Sequence, residues 1–260
     1  MCPEHQPTRL PIRLALLLVM GLCAQAADLP PLRILVDTST EMPFARIAGG
    51  RLVEGLYMDI GSALAGAMGR NATFKALPRR RLATEIESGG SDLICLYKPQ
   101  WLPGAFDWSQ PFVPITEILV SARTAKRPER LSDLAGQPIG SVLGFEHPEV
   151  SAALGTRFVR DNAPHAAANL RKLEAGRMQH ALFVQLFFDY MVAQNKVNVA
   201  LHPPLVVGNN LTQCAVSRRG QVRVAEVDAA IRQLNASGAI TRLLNRYRPP
   251  QTEAPSVARP

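Results

Sequence analysis

Leu32-Arg33-Ile34-Leu35-Val36, Thr73-Phe74-Lys75-Ala76-Leu77 and Leu93-Ile94-Cys95-Leu96 are three short apolar runs, and what separates them decides the fold. Each has strand length and is rich in branched or aromatic residues. Between the first two, Ile60, Ala63, Leu64 and Ala67 recur at helical spacing within 58–68, and Gly69 stands where a helix would stop. Between the second and third, Pro78 opens a helix running to about Ser88, with Leu82 and Ile86 on one face and Gly89-Gly90 as its end. Strands alternating with helices predict an α/β protein whose parallel strands are joined by right-handed crossovers.

The pattern continues outward. The polar cluster Asp37-Thr38-Ser39-Thr40 follows the first strand, and Pro43-Phe44 and Gly49-Gly50 mark a loop or hairpin. Further strands are read at 118–120, 138–142, 181–184, 205–207 and 213–217. Helices are read at 148–154, 164–175, 185–195, 222–237 and 239–247, with a short helical turn at 132–136 and a polar loop at 123–130. The tail 249–260, rich in proline, is expected to be disordered.

With 47% hydrophobic and 19% charged residues in 260, the chain has ample material for a folded core, which excludes a disordered or collagen-like protein. Residues 1–26 read as a secretory signal peptide: Arg9 and Arg13, then an apolar stretch from Leu14 to Cys23, then Ala24-Gln25-Ala26. The stretch is too short to span a membrane, and no other approaches that length, so a polytopic membrane protein is ruled out. A lipid anchor on Cys23 would want a small residue before it, and Leu22 is there. The mature chain is therefore expected in the periplasm, with Cys95 and Cys214 as its two cysteines. The formal charge is +8, but the basic residues are scattered apart from Arg79-Arg80-Arg81. No nucleic-acid-binding signature accompanies them, so no nucleic-acid partner is expected. His147, His165, His180 and His202 lack metal-ligand spacing, and no metal or cofactor is expected.

Several short segments, in order, carry a family likeness. Val53-Glu54-Gly55-Leu56-Tyr57-Met58-Asp59-Ile60 is similar to a "G-aromatic-x-x-D" lead into a first helix. Glu87-Ser88-Gly89-Gly90-Ser91-Asp92-Leu93 is similar to an "x-x-G-x-x-D" lead into a third strand. Asp107-Trp108-Ser109-Gln110-Pro111-Phe112 is similar to a "D-F-S-x-P-Y" crossover. Leu131-Ser132-Asp133-Leu134-Ala135-Gly136 with Ile139-Gly140, and Leu173-Glu174-Ala175-Gly176-Arg177, complete the set. Through them the chain resembles the periplasmic solute-binding proteins of polar-amino-acid type, the extracellular solute-binding family 3, as a divergent member. The resemblance implies a two-lobed fold, each lobe a mostly parallel sheet flanked by helices: 27–112 plus 211–248 as the first lobe, 117–206 as the second. It implies a small-molecule ligand between the lobes, no catalytic residue, an inner-membrane permease as partner and a monomeric chain. The returning strand of such a fold lies beside the third strand, bringing Cys95 near Cys214; a cross-strand disulfide and a pair of buried thiols both remain open.

The chain departs from the family pattern where a ligand would be gripped. The segment 97–106 contains no Arg for a ligand carboxylate, and Lys98 is its only cation. The second-lobe acid that would meet a ligand ammonium falls near Val184 or Gln185, and neither is acidic; Asp189 is a helical turn further on. Phe145 replaces the small residue after Gly144. The candidate ligand residues are then Thr38, Glu41, Arg79, Tyr97, Lys98, Trp101, Gly144, Phe145 and Val184. Arg79 and Lys98 are placed to hold an anionic group, and Tyr97, Trp101 and Phe145 to form walls. Against this, Arg79 is equally read as a solvated side chain or as a loop buttress through an ion pair, the aromatics as loop packing, and Glu41 as a solvated carboxylate. The expected solute is small and polar or anionic, amino-acid-like. Two other functions remain open: a lyase on the same fold resembling cyclohexadienyl dehydratase, with Glu41, Glu146 and His147 as acids that nothing in the sequence pairs, and a receptor feeding a membrane sensor.

Mature protein from the cell envelope should begin at Ala27. N-terminal sequencing that finds Met1 intact, or a lipid on Cys23, would show the targeting reading to be wrong.

Overall fold

The computed structural model describes residues 29–248. The segment 1–26 read as a signal peptide, with Cys2 and Cys23, and the tail 249–260 lie outside the described residues.

In chain order, β1 (Leu32–Asp37) leads into the hairpin β2 (Arg46–Ala48) and β3 (Arg51–Glu54), then α1 (Leu56–Ala67), β4 (Ala72–Leu77), α2 (Leu82–Glu87), β5 (Leu93–Tyr97) and the short β6 (Asp107–Trp108). The long β7 (Val113–Ser121) crosses to a second half made of β8 (Pro138–Val142), α3 (Pro148–Leu154), β9 (Val159–Ala163), α4 (Ala166–Glu174), β10 (His180–Val184) and α5 (Gln185–Ala193). The strand β11 (Leu205–Val216) returns, and α6 (Val224–Ala236) and α7 (Ala239–Asn245) close the first half.

The strand order is β4-β1-β5-β11-β7-β10-β8-β9, with β6 beside β11. β4, β1 and β5 are parallel, as are β10, β8 and β9. β7 and β11 run antiparallel between these groups and pair with each other from Leu205 to Thr212. Two corrections follow for the sequence reading. Leu205–Val216 form one continuous strand where two were read at 205–207 and 213–217, because pairing with β7 carries the chain through Gly208-Asn209-Asn210, which alone read as a break. The strand β9, not expected from Val159-Arg160-Asp161-Asn162-Ala163, is an edge strand with one fully buried residue, so it has little apolar pattern to betray it.

Helices cover both faces, as buried parallel strands require. In the first half α1 packs with α6 and α7 over one face, burying Ile60, Leu64, Ile231 and Leu244, while α2 covers the other with Leu82 and Ile86. Asp92, with no exposed side-chain surface, ties this half together: it accepts from the Arg33 guanidinium and backbone N–H and from the Gln221 N–H. Burial pushes its carboxyl up, but these bonds outweigh that and hold it below the usual carboxylate range.

A disulfide joins Cys95 to Cys214 across β5 and β11, with Cα atoms 3.9 Å apart. At this point two residues of β5 face one of β11: Ile94 is opposite Ala215 and Tyr97 opposite Gln213, while Leu96 takes a left-handed φ of 64°. This is a β-bulge, and it moves Tyr97 into the register Leu96 would otherwise hold.

The disulfide closes a loop spanning 119 residues, so its loss should lower the unfolding free energy by about 2–5 kcal/mol. Urea unfolding with and without a thiol reductant, and of the Cys95→Ser, Cys214→Ser double variant, measures this; coincident curves would mean the bond adds nothing.

Candidate functional site

Where parallel strands end, loops gather, and ligands in such sheets bind beyond the carboxyl ends. Here the ends of β1, β4 and β5 deliver Asp37, Arg79, Tyr97 and Trp101 from one half. The ends of β8, β9 and β10 deliver Phe145, His165 and Val184 from the other. Between them lie two adjoining chambers of about 90 and 60 Å³. Both are lined by Thr40, Phe44, Glu117, Phe145, His147 and Val184; Tyr57, Tyr97 and Trp101 add to the larger and Phe183 and Phe187 to the smaller. The lining is overwhelmingly apolar and aromatic.

Arg79 is held on every side. Its Nη1 donates to Asp37 Oδ2 and to the Tyr97 hydroxyl, both at 3.1 Å, its Nη2 to the Trp101 carbonyl at 3.0 Å and its Nε to the Gly144 carbonyl at 2.6 Å. The guanidinium also lies 4.3 Å from the Phe145 ring centroid. Gly144 makes the approach workable: its φ is +79°, and a Cβ there would sit 3.3 Å from Arg79 Cδ. The Tyr97 hydroxyl donates to Asp37 Oδ2 at 2.9 Å; burial first, and then the Asp37 charge, push this phenol well above its ordinary value. Of the readings left open for Arg79, these contacts fit the ion-paired buttress and not a solvated side chain.

Lys98 is likewise occupied. Its Nζ donates to Glu149 Oε1 at 2.9 Å and Asn210 Oδ1 at 2.6 Å, and lies 4.8 Å from the Trp101 ring centroid. Glu41 is not a solvated carboxylate: Oε2 accepts from the Ala167 N–H at 2.8 Å, in the first turn of α4, and Oε1 is 3.2 Å from His165 Nδ1. Arg79, Lys98 and Glu41 all belong to the first half and reach Gly144, Glu149 and Ala167 in the second. Arg80 and Arg81 are exposed. Thr38 is exposed at the outer mouth with Gly144, and Thr40 is the threonine inside.

The polar group that sequence reasoning missed is Glu117, in the middle of β7. It faces Val184 across the strand pair, so a carboxylate stands beside the position where one was expected and not found. Glu117 Oε1 hydrogen-bonds His147 Nδ1, and His147 Nε2 is 2.8 Å from Ser141 Oγ. His147, unpaired in the sequence reading, is thus paired on both nitrogens. A signal existed: Glu117 is the one charge in Val113-Pro114-Ile115-Thr116-Glu117-Ile118-Leu119-Val120-Ser121, a strand otherwise buried for most of its length.

No protein-family profile matches the chain, and no curated protein sequence is significantly similar to it. Solved structures do match. An ancestral arginine-binding protein bound to arginine is 17% identical, with a TM-score of 0.68 over 84% of this chain and 97% of that one. An ancestral amino-acid-binding protein, a precursor of cyclohexadienyl dehydratase, is 15% identical, with a TM-score of 0.68 over 84% and 95%. A histidine kinase sensor domain with similarity to periplasmic binding proteins is 18% identical, with a TM-score of 0.70 over 84% and 98%. The likeness establishes a periplasmic-binding-protein-like fold.

The Lys98–Glu149 bridge yields a pH-dependent expectation. Burial is the largest single influence and pushes the Glu149 carboxyl up, but the bond from Lys98, a backbone hydrogen bond and the Lys98 and His147 charges together outweigh it and hold the group below the ordinary glutamate value. A lowered folded value means the bridge acts fully above that ordinary value and is lost as pH falls through the lowered one. A partly exposed pair contributes about 1 kcal/mol or less, up to fivefold in the ratio of molecules whose halves are in contact here to those whose halves are apart. Small-angle scattering should show the protein expanding in that acid range, and Glu149→Gln should be expanded already at neutral pH; identical curves for both proteins would mean that the bridge does not hold the halves together.

Proposed function

We propose that this chain is a periplasmic solute receptor that captures a small amino-acid-like organic solute in the cleft between two lobes, without making or breaking a bond. Residues 27–112 plus 211–248 act as one lobe and 117–206 as the other, hinged where β7 and β11 cross. The observation that carries the reading is the set of three contacts across one aromatic cleft: Arg79 to Gly144, Lys98 to Glu149 and Glu41 to Ala167. Side chains that reach across a cleft in this way hold two bodies closed over whatever lies between, excluding water and strengthening polar contacts inside. The structural neighbours that bind amino acids supply the size class of the solute. A secreted receptor of this kind passes its solute to an inner-membrane permease of the ABC-transporter type. The sensor-domain neighbour makes a membrane sensor the second partner to test.

The lyase reading would rest on the Glu117–His147 pair, which borders the cleft. A lyase needs a general acid or base rather than a nucleophile, so the buried Ser141 hydroxyl has no part in that reading. A bound solute should be recovered unchanged by NMR after prolonged incubation.

A thermal-shift screen over amino acids, amines, small carboxylates and opines, followed by calorimetry and scattering on each hit, tests the receptor reading. A saturating solute should compact the protein, and Trp101→Ala should weaken it about tenfold, or 1.4 kcal/mol, without unfolding the chain. If no small solute raises the melting temperature, the chain is not a solute receptor.

A further inference from the structure

Glu117 is 6% exposed, and its Oε2 has no hydrogen-bond partner. Its other oxygen is held by His147. An ionised carboxylate can only accept, so His147 Nδ1 donates to Glu117 Oε1. His147 Nε2 lies 2.8 Å from Ser141 Oγ, which also accepts from Arg160 Nη2 at 3.1 Å and has the Val142 carbonyl at 3.3 Å as a second acceptor for its hydroxyl. This leaves a carboxylate among the residues lining both chambers, with one oxygen satisfied and the other buried without a partner. A half-satisfied buried anion costs several kcal/mol unless a cation or donor meets it.

Among the described residues, the two cations nearest the chambers are engaged elsewhere. Arg79 is paired with Asp37, and Lys98 with Glu149. Around the chambers stand the rings of Phe44, Tyr57, Trp101, Phe145, Phe183 and Phe187, which suit an apolar body and the flank of an ammonium. A buried donor without a partner among the lining residues is the uncharged Trp101 indole N–H. A ligand carboxylate would therefore give up water for no free cation and would share the space with Glu117. Resting on the receptor reading, we propose that the cleft selects small primary amines over the corresponding α-amino acids, with Glu117 Oε2 accepting from the ligand ammonium.

Calorimetry on the full mature chain tests this with matched probes: isoamylamine against leucine, phenethylamine against phenylalanine, and the uncharged 2-phenylethanol. Each amine should bind at least tenfold more tightly than its amino acid, and phenethylamine at least tenfold more tightly than 2-phenylethanol. Glu117→Gln should lose tenfold or more for the amines and leave 2-phenylethanol unchanged. If that variant does not fold, judged by circular dichroism, the amine-against-alcohol comparison on the native chain decides alone. Equal or tighter binding of the amino acids, or equal binding of amine and alcohol, overturns the proposal. Either result, or capture of a solute of another class only, leaves the receptor reading standing, whereas failure of every solute to bind removes the receptor reading itself.

Discussion

A guanidinium drawn between two sheet ends is costly to bury without an anion beside it, and Asp37 at the end of β1 supplies one. Much of the cleft depends on that pair. Asp37 has no exposed surface and uses both carboxylate oxygens, taking the Ser39 N–H and hydroxyl on one and Arg79 with Tyr97 on the other. The loop after β1, the start of the helical turn Arg79–Arg81 and the end of β5 are thereby fixed relative to one another. Arg79 then spends its remaining bonds on the Trp101 and Gly144 carbonyls, which sets one wall and draws the second half across. Without Asp37 the guanidinium would be a ligand anchor; with it, Arg79 is part of the frame.

This explains why the scaffold could be read from the sequence while the site could only be half read. Strands and helices announce themselves through local periodicity, and the order of elements at 32–96 was enough to specify parallel crossovers. Neighbouring strands brought Cys95 beside Cys214, although nothing in the residues decided between a bond and two thiols. Tyr97, Trp101, Phe145 and Val184 come to the cleft because residues at strand ends must. The charge state of the cleft is a different kind of fact. Arg79 meets a partner 42 positions away and Lys98 one 51 positions away, and no local pattern encodes such pairs. Glu117 was visible as a charge inside an apolar strand, but its neighbour Val184 is 67 positions off, so a missing acid and its replacement did not look like one event.

Ser141, His147 and Glu117 have the connectivity of a nucleophile, a base and an orienting acid. Connectivity is not enough. Ser141 is fully buried, and its oxygen accepts from Arg160, so the hydroxyl faces away from any chamber a substrate enters. The end of the chain that lines the chambers is the carboxylate. In a hydrolase the acid is the hidden end and the serine the one that lines the cleft; here the order is reversed. A serine-hydrolase reading of these three groups therefore has no support in their placement.

Under the proposed receptor reading, in which the two halves open and close, the contacts across the cleft also bear on how tightly a solute is held. Arg79, Lys98 and Glu41 make their bonds to the second half from the protein's own atoms, so the closed form does not depend on the solute to complete it. A closed form populated before binding removes the conformational cost that otherwise weakens apparent affinity in proportion to its rarity. The same population slows entry, since the solute must pass through the open state. Partly exposed pairs such as Lys98–Glu149 are weak enough to open readily, and the buried Arg79–Asp37 pair lies within one half and need not break. The stronger electrostatic term shapes the wall, the weaker ones govern the gate, and closure can reverse without unpairing a buried charge.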